Sequence, residues 1–115
     1  GAIWEAAITA SELNLDNLIA IVDCNGHQND GKIGNKMRFK SILKKWKGFE
    51  WNVVKCDGHK IEKLLKSLNS IKKNKPTVII AKTIKGKGVP FMENNNDWHH
   101  SRVTKKIFDQ AVKSL

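Results

Sequence analysis

No apolar run in this sequence approaches the roughly 20 residues that a helix needs to cross a bilayer. The chain also does not open on a basic stretch followed by an apolar one, as a secretory leader would. Neither a membrane span nor a leader is therefore expected. Cysteine is scarce, at two residues, Cys24 and Cys56. They lack CxxC spacing, which excludes a thiolate zinc site. They read as small buried hydrophobes of a reducing, cytoplasmic protein rather than as a disulfide. There is no internal repeat, no low-complexity linker and no Walker A spacing. Acidic residues are few, 11 Asp and Glu against 21 Lys and Arg, which leaves a net charge of +10. Such an excess can serve nucleic acid, an anionic membrane surface or an anionic ligand. Here the lysines are spread over nearly every segment, so the charge reads as solvated faces, with no nucleic-acid or membrane partner expected. The first residue is Gly1 rather than Met, as expected of a processed chain or a piece of a longer one.

What is present suffices for one domain with a modest core: 115 residues, of which 40% are hydrophobic. The stretch Asn17–Gly31 changes character midway. Leu18 to Val22 is continuously apolar, the pattern of a strand buried on both faces. The chain then turns polar, through Asp23, Asn25, Gly26, His27, Asn29 and Asp30. In open α/β sheets, ligands gather at the carboxyl ends of strands. This polar segment therefore offers oxygen ligands where such a sheet places its chemistry.

Helical spacing of Ile3, Ala6, Ala7, Ala10 and Leu13 predicts a helix over Ala2–Leu15. Leu18–Cys24 is the first predicted strand, followed by a loop through Gly34. A helix over Lys36–Lys47 carries Met37, Ile42, Leu43 and Trp46, with Gly48 at its end. Glu50–Cys56 is a second strand, closing on the turn Asp57-Gly58-His59, where Asp57 is placed to cap the next helix. That helix, Lys60–Lys72, sets Ile61, Leu64, Leu65, Leu68 and Ile71 on one face and its lysines on the other. Lys75-Pro76 breaks it, and Thr77–Thr83 is a third strand. A basic loop, Lys85-Gly86-Lys87-Gly88, a polar stretch from Glu93 and a terminal helix over Val103–Leu115 complete the chain. Alternating buried strands and amphipathic helices predict an α/β fold, an open parallel sheet with helices on both faces. One domain is expected over 1–115, with 93–115 a C-terminal polar loop and helix.

Three clusters carry candidate chemistry. Around Asp23-x-Asn25-Gly26-His27, Asn25 can offer a side-chain carbonyl and His27 a main-chain one, with Gly26 permitting the bend between them. Such oxygens suit a hard divalent ion. The same residues also suit an ordinary Asx-Gly turn, and the residues alone leave both open. Lys82–Gly88 combines glycines and lysines, which can cradle phosphate or simply form a solvated loop. Trp98-His99-His100 offers one imidazole for phosphate contact or proton transfer, or a surface pair.

In their order, several segments resemble one family. They are Gly1-x-x-Trp4-Glu5-Ala6, Val22-Asp23-x-Asn25-x-x-Gln28-x-Asp30-Gly31, and Trp46 with Phe49-x-Trp51-x-Val53. They continue with Asp57-Gly58-His59, Lys75-Pro76-Thr77, Ala81 to Val89, Phe91-Met92-Glu93-Asn94 and Trp98-His99. Together they resemble the thiamine-diphosphate-binding N-terminal half of transketolase, most of all the type built from two separate half-length chains. The resemblance implies thiamine diphosphate with Mg²⁺ or Ca²⁺. It implies that Asn25 binds the metal through its side chain and His27 through its main-chain carbonyl. Gly26 would lie at the diphosphate, and His99 near the diphosphate and the reacting carbons. The family's Gly-Asp-Gly metal motif would fall before Gly1, so the chain is expected to be truncated at its N-terminus and inactive alone. The implied reaction moves a two-carbon ketol unit from a ketose phosphate to an aldose phosphate. The implied partners are sugar phosphates, a C-terminal transketolase half carrying the pyrimidine-binding domain, and a second copy of the assembly. A 1-deoxyxylulose-5-phosphate synthase-like enzyme and a basic nucleic-acid-binding module are the alternatives.

Overall fold

The computed structural model describes residues 1–36 and 42–114. Met37, part of the predicted second helix, lies outside the described residues, as does Leu115. The described chain contains α1 (Ala2–Glu12), β1 (Ile19–Cys24), β2 (His27–Gln28), β3 (Gly31–Lys32), α2 (Ile33–Lys36), α3 (Ile42–Gly48), β4 (Asn52–Asp57), α4 (Ile61–Leu68), β5 (Thr77–Lys82), a 3₁₀ turn (Asn96–His99) and α5 (Lys105–Val112). These form two compact units, residues 1–24 with 40–82 and residues 25–39 with 83–115.

The first unit holds a parallel sheet of order β1-β5-β4. Ile19 pairs with Thr77 and Cys24 with Lys82 on one side, and Asn52 with Thr77 and Asp57 with Lys82 on the other. The central strand is the most apolar run of the chain, and Thr77 to Ala81 are all buried. Val78 and Ile80 face a cluster of Ala7 and Ala10 from α1 and Trp46 from α3, with Trp51 beside them. Ala7 and Ala10 form the buried face that α1 contributes to this cluster. Trp46 and Trp51 meet edge to face at 4.8 Å, and Trp4 joins Trp46 at 5.5 Å. Burying a side chain such as Val78 or Ile79 contributes about 1.5–3 kcal/mol. α4 packs on β4 and β5, so the α/β class with a parallel sheet is as expected.

Several local expectations need correction. α1 ends earlier than predicted, because Asn14 takes φ +53 and closes a Schellman motif. In it, Leu15 N–H donates to Ala10 O and Asn14 N–H to Ser11 O. α3 closes the same way, with Glu50 (φ +64) rather than Gly48 in the left-handed position. There Trp51 N–H donates to Trp46 O and Glu50 N–H to Lys47 O. Asp57 does not cap α4: its Oδ1 accepts from His59 N–H at 3.0 Å, and Lys60 stands at the N-cap without a side-chain bond.

β1 is not buried on both faces. It is an edge strand, and Ile21 stays 57% exposed. Cys24, at its end, is exposed and Cys56 half-buried, and both thiols are free. The apolar face of α4 is likewise uncovered at Ile61, Leu65 and Leu68. α4 stops at Leu68, and Lys72 and Lys75 form a bridge before Pro76. The terminal helix is shorter than predicted and begins at Lys105, capped by Thr104, whose side chain accepts from Ile107 N–H. Among the described residues, no helix is long and apolar enough to cross a membrane.

Candidate metal and diphosphate site

Cys24 and Lys82 are the last residues of neighbouring parallel strands, and the second unit takes up the chain immediately after each. Its first segment opens with Asn25-Gly26-His27. Asn25 makes an Asx turn, its Oδ1 accepting from His27 N–H at 2.8 Å. Gly26 sits at φ +75, a conformation that glycine adopts without strain. A Cβ added at Gly26 would meet nothing within 4 Å, so this bend faces open space.

The predicted open loop is in fact a short hairpin. β2 pairs antiparallel with β3, His27 opposite Lys32 and Gln28 opposite Gly31. Ile33 N–H donates to Gly26 O at 3.0 Å. Residues 26 and 33 thus form a bonded pair, and alternation makes His27 and Lys32 the non-bonded pair. Both main-chain groups of His27 then point away from β3. Its N–H goes to Asn25 Oδ1, and its carbonyl lies on that same edge. The hairpin therefore puts Asn25 Oδ1 and the His27 carbonyl on one side, as two oxygens a hard cation can share. Among the described residues, no three His, Cys, Asp or Glu side chains gather into a metal cluster. Asp23 and Asp30 are exposed.

The hairpin tip is held by a residue that sequence reading did not single out. Asn96 Nδ2 donates to Asn29 O at 2.9 Å. Asn96 opens the 3₁₀ turn that ends on His99, and Asn95 caps that turn by accepting from Asp97 N–H at 3.0 Å. Phe91 packs edge to face on Trp98 at 5.4 Å and fastens the turn to the preceding loop. The structure so brings the Asn25–His27 hairpin and the His99 turn together within one unit. The His99 side chain is exposed, its Nδ1 lies 3.4 Å from Lys85 Nζ, and its ring touches His100 at 5.2 Å. An ammonium only donates, so in this contact His99 Nδ1 is the acceptor. Lys85 was read only as part of the Lys82–Gly88 loop, and its place beside His99 is supplied by the fold. The run Asn94-Asn95-Asn96 was the available signal for Asn96, since consecutive asparagines favour side-chain-to-backbone turns.

The glycine-lysine loop is not an open phosphate cradle. Gly88 N–H donates to Glu93 Oε1 at 3.1 Å, and Lys87 Nζ lies 3.6 Å from the same oxygen. Asn94 N–H closes the loop on Lys85 O. A carboxylate of the chain thus takes the place an anion would have.

The family described as "Transketolase, thiamine diphosphate binding domain" matches residues 1–114. One of the subunits of the apulose-4-phosphate transketolase of Phocaeicola vulgatus is 36% identical over the whole chain, which spans 42% of that protein. Human transketolase is 35% identical, again over the whole chain, which spans 18% of it. The crystal structure of transketolase from Campylobacter jejuni superposes with a TM-score of 0.88 at 28% identity, over 98% of this chain and 18% of that one.

Proposed function

The chain belongs to the transketolase family of thiamine-diphosphate-binding domains, and from that premise we propose that it forms one layer of a ketol-transferring active site. In this reading residues 1–115 are a single diphosphate-binding domain, with 93–115 as its polar loop and terminal helix. The assembled enzyme moves a two-carbon unit from a ketose phosphate to an aldose phosphate. The chain spans less than half of the length of these relatives, and in this reading the activity belongs to the assembled enzyme.

The observation that carries the reading is the bond from His27 N–H to Asn25 Oδ1 in a hairpin whose register directs the His27 carbonyl to the same edge. Neutral oxygens at a glycine bend fit the donor preference of Mg²⁺ or Ca²⁺, since both ions take oxygen ligands. Asn25 would hold the ion by its side chain and His27 by its main chain. Open space at Gly26 leaves room for a diphosphate to approach the backbone. Thiamine diphosphate, when bound, supplies the nucleophilic carbon of the reaction. The exposed His99 is placed to exchange a proton or hold an oxygen of the substrate from Nε2 while Lys85 steadies Nδ1.

The relatives are named transketolases, which favours ketol transfer between sugar phosphates over the deoxyxylulose synthase alternative. The Phocaeicola relative is named as one subunit of its enzyme, which supports a partner half that brings the pyrimidine-binding domain. The free thiols Cys24 and Cys56 support a reducing, cytoplasmic setting.

Titration calorimetry of the intact assembled protein with thiamine diphosphate and Mg²⁺ tests the proposal. Asn25→Ala is expected to weaken Mg²⁺-dependent cofactor binding by about tenfold or more. Unchanged binding in that variant would overturn the metal role.

A further inference from the structure

His27 does more than offer a carbonyl. Its ring Nδ1 lies 3.0 Å from the main-chain oxygen of Asn25. A carbonyl only accepts, so the proton must sit on Nδ1 whatever the charge of the ring. Its main-chain N–H simultaneously holds Asn25 Oδ1 at 2.8 Å. One residue thereby grips both oxygens of the residue two places before it, across the Gly26 bend. The other ring nitrogen, Nε2, is buried and has no protein partner among the described residues. The ring is therefore packed inward rather than swinging in solvent.

The hairpin ladder cannot fix this edge by itself. β2 and β3 are two residues long, and His27 is in the non-bonded pair. On the edge that alternation assigns to its carbonyl, His27 is tied by its two hydrogen bonds to Asn25. A cation such as Mg²⁺ demands near-ideal octahedral geometry. Groups that orient its ligands therefore matter nearly as much as the ligands. A Leu at this position would supply the same carbonyl without the Nδ1–H bond.

We propose that the His27 imidazole is a positioning residue: by donating from Nδ1 to the Asn25 carbonyl, it holds Asn25 Oδ1 and its own carbonyl at the spacing a divalent cation requires. The proposal rests on the metal role of Asn25 and His27 put forward above. It adds a task for a side chain whose main chain alone that role uses.

The test uses the intact assembled protein with thiamine diphosphate, and Mn²⁺ as the probe, its free fraction read by electron paramagnetic resonance. His27→Leu keeps the carbonyl and removes the donor. His27→Asn restores an amide N–H close to the position of Nδ1. Expected is a loss of Mn²⁺ affinity of about tenfold in His27→Leu, with His27→Asn within about threefold of the unsubstituted protein. Long-range ¹H–¹⁵N correlation of histidine-labelled protein is expected to place a proton on Nδ1 of His27. A proton on Nε2 with none on Nδ1 would overturn the proposal without any substitution. Asn25→Ala separates the two readings. Lost affinity in Asn25→Ala with none lost in His27→Leu overturns the positioning role and leaves the metal role standing. No loss in Asn25→Ala overturns both.

Discussion

Trp51 Nε1 donates to the carbonyl of Ala7 at 2.9 Å, a buried bond that spans 44 positions of sequence. It ties the start of β4 to the middle of α1, and the ring also meets Trp46 at 4.8 Å. A single side chain so joins the helix, the sheet and the aromatic cluster.

Replacing Trp51 by Phe keeps most of the apolar area and removes the donor. The expected cost is about 1–2 kcal/mol, the net worth of one buried hydrogen bond with some lost packing. Trp51→Ala is expected to cost about 3–5 kcal/mol, as a cavity replaces the ring. Urea unfolding of the intact protein checks both, and equal stability for the Phe variant would deny the bond a structural role.

Gly26 and Gly86 share a left-handed backbone, at φ +75 and +71, but not their surroundings. A Cβ at Gly26 enters open space, whereas at Gly86 it would collide with the carbonyl of Met92. Gly26→Ala is expected to bear only conformational strain, about 1 kcal/mol. It should instead show its effect on cofactor affinity. Gly86→Ala adds a backbone clash and is expected to destabilise by more, about 2–4 kcal/mol. Thermal melts of the two variants, with thiamine diphosphate calorimetry on Gly26→Ala, test the contrast. Equal melting temperatures would contradict it.

His99 is exposed, with Lys85 Nζ 3.4 Å from its Nδ1. His99→Ala is thus expected to shift stability by less than about 0.5 kcal/mol. If the imidazole handles a proton in ketol transfer, kcat of the assembled enzyme should fall by about 10²-fold or more. Full turnover in His99→Ala would remove it from the chemistry.

The legible parts of the fold were those set by short-range pattern. Thr77–Thr83 read as a strand because it is nearly continuous in apolar residues, and Thr77 to Ala81 became the buried centre of the sheet. Leu18–Val22 has the same pattern but a different fate. As an edge strand it leaves Ile21 exposed. Apolar periodicity marks a face suited to burial and says nothing of what covers it. The same reason explains Ile61 and Leu65 on α4. Asn14 and Gly48 were legible as helix ends, and α3 does end at Gly48; not legible was that the left-handed positions would fall on Asn14, which stops α1 at Glu12, and on Glu50. Those choices are made by the carbonyls of the last turn, which a composition rule does not see.

The sequence by itself determined an α/β chain with a parallel sheet, because strand and helix patterns are local; Asn25, Gly26 and His27 became candidates through the family resemblance, since their turn chemistry alone suits an ordinary Asx-Gly turn as well. Only the tertiary structure decided how those three act together. Pairing of Gly26 with Ile33 sets which edge the His27 carbonyl faces. Asn96 reaches back across 67 positions to the hairpin tip at Asn29. Alternation along an antiparallel ladder is fixed by the partner strand, so no reading of Asn25-Gly26-His27 alone can tell which oxygens share a side.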